Sequence, residues 1–254
     1  MSRYAYRPEL YVPAGMLSQS MRLCREENPE RVSGKRDENM DFPYEKDNKE
    51  RIPLEHYLSE YRNIDPKEAA ERCGVEYDEE KQQFHIRLMG FRYLVDFPEF
   101  AVHKEDENEE GAFLLLDMVP AKIIVLRFLI SAQVVKSSGK YLTYREVPWG
   151  EVYFRQFEGR CLMRLKFGFG FKLDKFAEGM EKIPGVKKLS LGDVSYEFEF
   201  INGLHVRFIL WAGDEEFPPS SQILFEDNFP YAYQAEDLAV VGDISISTLK
   251  ALAA

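Results

Sequence analysis

The chain has 254 residues, of which 45% are hydrophobic and 14% aromatic, a composition typical of a globular protein and not of a disordered one. Its formal net charge of -11 argues against nucleic acid and against acidic membrane surfaces as partners, because both are bound largely through Lys and Arg. The length is sufficient for one sizeable core with an appendage.

Residues 1–50 are predicted to form a charged N-terminal arm, and residues 51–254 a single folded domain. The arm mixes charges of both signs without a sustained apolar period, which is typical of a solvated tail. Four apolar side chains leave open that the arm docks on its own domain or on a partner: Tyr4, Tyr6, Tyr11 and Leu17. The start of the sequence lacks the apolar stretch of a secretory signal, so we expect a cytoplasmic protein.

Two short helices are predicted after the arm. Residues 53–62 place apolar side chains on one side of a helix. The second helix is marked at both ends, with Asp65 as N-cap, Pro66 at the first helical position and Gly74 beyond the last turn.

A hairpin is predicted over residues 84–97, where apolar and polar side chains alternate on either side of a glycine. If Leu88 faces Phe91, the apolar side chains share one side and Arg87 lies opposite Arg92 on the other. Like charges directly across two strands are unfavourable. The pair of arginines is therefore explained either by screening in solvent or by an acidic neighbour or an anionic ligand.

Residues 120–136 are predicted to form a central helix, because they are apolar on nearly all sides and begin with Pro120. The longer apolar stretch that contains this helix, residues 112–135, also carries Asp117, Lys122 and Arg127. Charges near the centre of a bilayer are unfavourable, so the stretch is predicted to be protein core and not a membrane span.

A second hairpin is predicted over residues 194–211. A two-residue Asn202-Gly203 turn would mix polar and apolar side chains on both faces, whereas a three-residue loop over residues 201–203 separates them. With Gly203 left-handed, this bulged hairpin predicts five cross-strand pairs: Phe200 with Leu204, Phe198 with Val206, Tyr196 with Phe208, Glu199 with His205, and Glu197 with Arg207.

The strands and helices do not follow a regular βαβ alternation. We therefore predict an α+β fold, with an antiparallel sheet built from the hairpins at 84–97 and 194–211. The sheet is expected to pack against the central apolar helix at 120–136 and against smaller helices.

Motifs of known chemistry are missing from the sequence. It contains no complete phosphate-binding glycine loop, no G-x-S-x-G nucleophile turn and no H-E-x-x-H pair. The three cysteines are odd in number and far apart, which fits neither a disulfide framework nor a four-ligand metal site: Cys24, Cys73 and Cys161. Whether the protein is an enzyme, and with which cofactor, is left open.

Two segments nevertheless resemble binding sites. The turn over residues 211–227 crowds Trp211, Asp214 and Glu216 beside two prolines, and its carboxylates could accept hydrogen bonds or bind a divalent cation. The segment 144–149 carries Arg145, which suits an anionic group, and Trp149, which offers a flat ring for stacking.

Three functional hypotheses follow. The leading one is a cytosolic accessory module with a pocket between the turn 211–227 and the segment 144–149, which binds a small polar molecule or a partner protein. The first alternative is a metal-assisted hydrolase that uses Asp214, Glu216 and Asp237. The second alternative is a structural subunit without a ligand.

At these residues the chain resembles an uncharacterised family, the domain-of-unknown-function family numbered 3786, from about residue 64 to the C-terminus. Five segments carry the resemblance: residues 211–220, 223–225, 235–239, 65–66 and 90–98. The resemblance implies an origin in anaerobic bacteria or archaea, where some members occur beside iron–sulfur modules. It implies no activity, and this chain lacks the grouped cysteines of the cluster-bearing relatives.

Overall fold

The structure is a computed structural model that describes residues 47–109, 111 and 113–254. These residues fall within one compact unit. The predicted arm, residues 1–50, lies almost entirely outside the described residues, so its role and its boundary with the domain stay predictions.

The helices and strands follow one another along the chain without a repeating unit. The α-helices are α1 (Ile52–Tyr61), α2 (Pro66–Cys73), α3 (Leu114–Asp117), α4 (Val119–Ser131), α5 (Gly150–Phe157), α6 (Met163–Phe169), α7 (Leu173–Glu181), α8 (Phe229–Ala232) and α9 (Ala235–Leu252). The strands are β1 (Glu76–Asp78), β2 (Gln83–Leu88), β3 (Phe91–Asp96), β4 (Val102–Lys104), β5 (Tyr141–Thr143), β6 (Lys187–Leu189), β7 (Val194–Ile201), β8 (Leu204–Trp211) and β9 (Ser220–Glu226). A π-helical segment, Glu158–Leu162, joins α5 to α6 without a break.

The described strands form one antiparallel sheet of nine strands, in the order β4-β3-β2-β7-β8-β9-β5. Two strands lie off this path, because β1 pairs with β2 and β6 pairs with β7. The predicted α+β class with an antiparallel sheet is confirmed.

The two short helices before the sheet are confirmed as α1 and α2. The carboxylate of Asp65 accepts the backbone N–H groups of Lys67 (2.9 Å) and Glu68 (3.0 Å), and Gly74 ends the helix in a left-handed conformation. Local capping residues therefore determine both ends of α2.

The first hairpin has the predicted register. Leu88 lies opposite Phe91, and Arg87 lies opposite Arg92. The acidic neighbours that this pair of arginines required are Glu199 for Arg87, at 2.8 Å, and Glu105 for Arg92, at 3.5 Å.

The second hairpin confirms four of the five predicted pairs and corrects the fifth. Glu199 lies opposite His205 and Glu197 opposite Arg207, but Leu204 pairs with Ile201 and not with Phe200. A bulge between Glu199 and Ile201 absorbs the extra residue, so the turn is the two-residue Asn202-Gly203 turn after all. The bulge preserves the alternation of apolar and polar faces that a plain two-residue turn would have destroyed.

The predicted central apolar helix is present as α4. It is shorter than the predicted range 120–136, because α4 ends at Ser131. The guanidinium of Arg72 donates to the carbonyl oxygens of Ala132, Leu129 and Ile130, at 2.5 to 3.1 Å. A side chain from α2 thus satisfies the last carbonyls of α4 and ends the helix.

The helices cover one face of the sheet. Phe176 of α7 packs edge-on against Tyr196 of β7, and Phe157 of α5 packs against Phe225 of β9. The long helix α9 lies among α4, α5, α6 and α7, and most of its residues are buried. None of the described helices is long and apolar enough to cross a membrane.

Candidate functional site

The loop between β8 and β9, residues 212–219, lies against the C-terminal end of α6. The N–H of Gly213 donates to the carbonyl of Gly170 at 3.1 Å. A Cβ on Gly213 would lie 2.6 Å from both Phe171 and Pro219, closer than a side chain can approach. The glycine therefore allows the loop to contact the end of the helix.

Asp214 holds the conformation of this loop. Its Oδ1 accepts the N–H groups of Glu216 (2.9 Å) and Phe217 (2.6 Å), and its own N–H donates to the carbonyl of Phe217 at 2.9 Å. This is a side-chain-capped turn. The carboxylate is thus a structural cap, and the turn presents Phe217 and the Glu216 side chain to solvent. Ligand binding by Asp214 and Glu216 stays a prediction.

Arg145 and Trp149 lie in the bend between β5 and α5. The guanidinium of Arg145 forms an ion pair with Glu151 and lies 3.5 Å from the centre of the Phe154 ring. Trp149 has a left-handed backbone, with φ of 65°, and its side chain is largely exposed. Arg145 therefore already has partners within the fold, whereas the Trp149 ring is available for contact.

The two predicted segments contact each other through buried residues, because Tyr144 packs against Phe225 with ring centres 6.4 Å apart. Their exposed parts lie at opposite ends of one helical run: Trp149 precedes α5, and the contact of Gly170 with Gly213 follows α6. The run between them, residues 150–169, is continuous and spans about 30 Å at 1.5 Å per residue. The geometry does not bring Arg145 and Trp149 next to Trp211, so a pocket shared by these residues stays a prediction.

An exposed apolar surface connects these two ends. Met163 follows Val152 by about three turns, and Phe167 follows Met163 by about one turn. These three side chains therefore lie on one side of the helical run. Seven of the ten large exposed apolar side chains of the described residues lie on this run or at its ends, from 39% exposed at Trp211 to 74% at Trp149. We call this surface the aromatic ridge, and it consists of Trp149, Val152, Met163, Phe167, Phe171, Trp211 and Phe217.

The helical run of the ridge is locally basic within an acidic chain. Residues 150–172 contain five Lys and Arg and two acidic residues. Arg160 and Arg164 form ion pairs with Asp243 of α9. Lys166 lies 4.9 Å from the centre of the Phe167 ring. The exposed aromatic side chains are therefore accompanied by positive charge.

The carboxylates of the hydrolase hypothesis do not form a metal site. Asp237 is buried at the start of α9, where it pairs with Arg127 at 2.7 Å and accepts the N–H of Gln234 at 3.1 Å. Asp214 caps its own loop. In the part of the chain that the structure describes, no three His, Cys, Asp or Glu side chains are grouped so that they could hold a metal ion. We derive no metal-assisted step.

The two cysteines within the described residues are buried free thiols. Burial raises the pKa of Cys73 to about 11 and that of Cys161 to about 12. Because the thiolate is the reactive form, neither side chain is activated as a nucleophile. Cys24 lies outside the described residues.

The face of the sheet opposite the helices carries a network of charged side chains. Arg87 binds Glu199 through two hydrogen bonds of 2.8 and 2.9 Å, and His205 Nδ1 lies 2.8 Å from Glu226. Arg207 donates twice to Glu197, at 2.8 and 2.9 Å. The sequence predicted which of these residues lie opposite one another, with His205 as the partner of Glu199. In the structure Glu199 binds Arg87, and His205 lies against Glu226.

The acidic members of this network are held ionised. Burial opposes the ionisation of Glu197, but hydrogen bonds from Arg207, Tyr141 and Lys187 together keep its pKa below the usual value. Burial likewise opposes the ionisation of Glu199, and Arg87 with the N–H of Gly203 lowers its pKa in the same way. Glu197 and Glu199 are therefore ionised at neutral pH, and each forms an ion pair with its arginine.

The chain matches the family described as a domain of unknown function (DUF3786) over residues 65–248. The match covers more than half of the chain, and the chain belongs to this family, as its resemblance predicted. No curated protein and no solved structure matches it. The matched region includes the helical run and the loop that carry the aromatic ridge.

Proposed function

We propose that this family member is a cytoplasmic accessory module that binds a partner protein through the aromatic ridge. The supporting observation is the concentration of large exposed apolar side chains on one surface. Monomeric proteins rarely expose an extended apolar patch unless it is used for binding. Trp, Phe and Met are also enriched at protein interfaces relative to the rest of the surface.

The size of the ridge fits this role. A standard interface buries about 800 Å² on each partner, which is a patch roughly 28 Å across. The helical run from Gly150 to Phe169 has about this length, at 1.5 Å per residue. One partner could therefore contact both ends of the ridge at once, with Trp149 at one end and Trp211 at the other.

The charges indicate what kind of partner fits. Arg155, Lys166 and Lys172 lie along the helical run of the ridge, so a partner with an apolar and acidic surface would be complementary to the run. The loop at its end adds three exposed acidic residues, Asp214, Glu215 and Glu216. A symmetric dimer whose axis crosses the middle of the run would place the basic run against itself. We therefore propose a different protein and not a second copy.

The five residues predicted from the sequence have different tasks in this proposal. Trp149 and Trp211 are aromatic anchors, and Asp214 positions Phe217 by capping the loop. Arg145 and Glu216 would be polar contacts at the rim, where charged pairs contribute little to affinity.

The test is capture of partners by tagged full-length protein from an extract of the source cells. The test variant is the double substitution Phe171→Ser and Phe217→Ser, and the matched control is Tyr231→Ser, which changes an equally exposed ring on α8. We expect the wild type and the control to retain the same partner and the double variant to lose it, because an interface anchor contributes about 2 kcal/mol. All three proteins should fold, since exposed substitutions change stability by about 0.5 kcal/mol.

Equal retention of the same proteins by all three forms would refute docking at the ridge. Light scattering gives a second readout: a concentration-dependent dimer that only the double variant loses would identify a second copy as the occupant. A monomer that retains no partner in any form would also refute the proposal.

A further inference from the structure

A pocket of about 360 Å³ lies on the charged face of the sheet, away from the aromatic ridge. It occupies a gap along one edge of β7. β2 pairs with this strand only at Ile201, whereas β6 pairs with it from Ser195 to Glu197. Between these two partners the N–H of Met89 donates to the carbonyl of Phe200 at 2.7 Å, and the edge of β7 has no paired strand at Phe198 and Glu199. The side chains around this gap form the pocket walls.

The rim of the pocket depends on one close approach. Gly90, at the turn between β2 and β3, has φ of 77°, and a Cβ there would lie 2.2 Å from the carbonyl oxygen of Pro184. Only glycine allows this backbone contact. It brings the first hairpin against the segment that precedes β6, so the pocket has a fixed shape that does not depend on a mobile loop.

Three cationic side chains reach the pocket from three strands: Arg87 from β2, Arg92 from β3 and Lys187 from β6. Arg87 uses Nε and Nη2 for Glu199, which leaves Nη1 free to donate elsewhere. Arg92 lies 3.5 Å from Glu105, and Lys187 lies 3.4 Å from Glu197. Both distances are long for charge-assisted hydrogen bonds, so most donors of these two side chains remain available.

The two carboxylates in the pocket wall have little remaining capacity to accept. Both oxygens of Glu199 are occupied, one by Arg87 Nε and the other by Arg87 Nη2 and the N–H of Gly203. Glu197 Oε2 accepts from Tyr141 and twice from Arg207. Glu197 Oε1 faces Lys187 at 3.4 Å. The pocket thus has several unused donors and few open acceptor positions, which favours a ligand rich in acceptor oxygens.

We propose that this pocket binds the phosphoryl group of a small molecule. A phosphoryl group carries three acceptor oxygens and suits Arg and Lys side chains that converge from different directions. Arg92 and Lys187 are its main ligands, and Arg87 adds one donor while it stays anchored to Glu199. This site shares no residue with the aromatic ridge, so the inference does not depend on partner docking.

The test is calorimetric titration of the full chain with inorganic phosphate, with sodium chloride at the same ionic strength as the reference. We expect saturable binding to the wild type and about tenfold weaker binding to each of Arg92→Gln and Lys187→Gln, the effect of one lost charge-assisted hydrogen bond. The matched control is Lys188→Gln, since the Nζ of Lys188 lies 5.9 Å from the centre of the Tyr196 ring, on the other side of β6. Arg92 and Lys187 are 62% and 68% exposed, so both variants should fold.

A second measurement locates the ligand. In amide NMR spectra, phosphate should shift the signals of Gly90 and Gly185, which both line the pocket. The ridge variant with Phe171→Ser and Phe217→Ser should bind phosphate as the wild type does. The proposal is overturned if chloride reproduces the heat, if Lys188→Gln weakens binding as much as Lys187→Gln, or if acetate binds as tightly as phosphate.

Discussion

Replacement of Arg127 by Met tests how strongly one ion pair connects α4 to α9. Arg127 Nη1 lies 2.7 Å from Asp237 Oδ1, and the side chains of the two residues are 27% and 5% exposed. The second carboxylate oxygen of Asp237 accepts the N–H of Gln234 and caps α9. The substitution removes the cation and leaves the carboxylate buried.

The loss of stability follows from this burial. Removal of one member of a fully buried pair costs about 3–5 kcal/mol. Arg127 is partly exposed, so water can approach the carboxylate in the variant and reduce the penalty. We expect the free energy of unfolding at pH 7 to fall by about 2–3 kcal/mol, which lowers Tm by roughly 5–10 °C.

The deficit should depend on pH. Burial raises the pKa of Asp237 even in the wild type, and the charge of Arg127 counteracts part of this rise. Without Arg127 the pKa rises further. A carboxyl group whose pKa is higher in the folded than in the unfolded state destabilises the fold as pH increases through that interval. The variant should therefore resemble the wild type near pH 4 and show the full deficit at about pH 7.

Urea unfolding followed by circular dichroism at these two pH values measures the effect. The double variant Arg127→Met with Asp237→Asn should be more stable at pH 7 than Arg127→Met alone, because no unpaired charge is left in the core. Two results would refute the reasoning: a single variant as stable as the wild type at pH 7, or a deficit of equal size at both pH values.

Two other sites give further predictions. Hydrogen bonds from Arg87 and a backbone N–H lower the pKa of Glu199, although burial opposes this shift. The ionised carboxylate therefore stabilises the fold above the unfolded pKa. This contribution is lost as pH falls below about 4.5. Urea titrations of Glu199→Gln should consequently show a weaker loss of stability in acid than the wild type, and parallel acid limbs would contradict the assignment. Gly90→Ala places a Cβ 2.2 Å from the Pro184 carbonyl at a positive φ, whereas Gly185→Ala has a similar φ of 72° but open space. We expect thermal unfolding to show a loss of about 3 kcal/mol or more for Gly90→Ala and about 1–2 kcal/mol for Gly185→Ala, and equal losses would rule out the close contact.

The elements that the sequence predicted well are those whose causes are local. The caps of α2 lie within the helix and its two flanking residues, so Asp65 and Gly74 could be identified from their positions alone. The register of the first hairpin followed from alternation across a short turn. In the second hairpin, alternation and turn chemistry were in conflict, and a bulge beside Phe200 satisfies both. The alternation predicted one extra residue but placed it in the loop, whereas the structure places it in β7 at Phe200.

Errors arose where a distant side chain decides the outcome. The apolar pattern continues to Val135, but α4 stops at Ser131, where Arg72 donates to the carbonyls of its last turn and of Ala132. Arg72 is about sixty positions away in the chain. The candidate site shows the same limit, since the contact of Gly213 with Gly170 is formed between segments that are far apart in sequence. Trp211 and Trp149 could be recognised as unusual residues from the sequence. The helical run that separates them could not be predicted.

The ridge itself had a signal in the sequence. Residues 157, 161, 165 and 169 are apolar at intervals of four, and all four are buried, so they form the inner side of the helical run. Val152, Met163 and Phe167 are apolar as well, although the inner side is already complete without them. A helix that is apolar on two sides is normally buried on both, but this one packs on the sheet and α9 through one side only. The outer side chains are therefore not required for the core. A partner that covers these side chains would explain why they are apolar. Substitution of Phe167 by Ser should therefore leave the free energy of unfolding within about 0.5 kcal/mol of the wild type while it weakens partner binding.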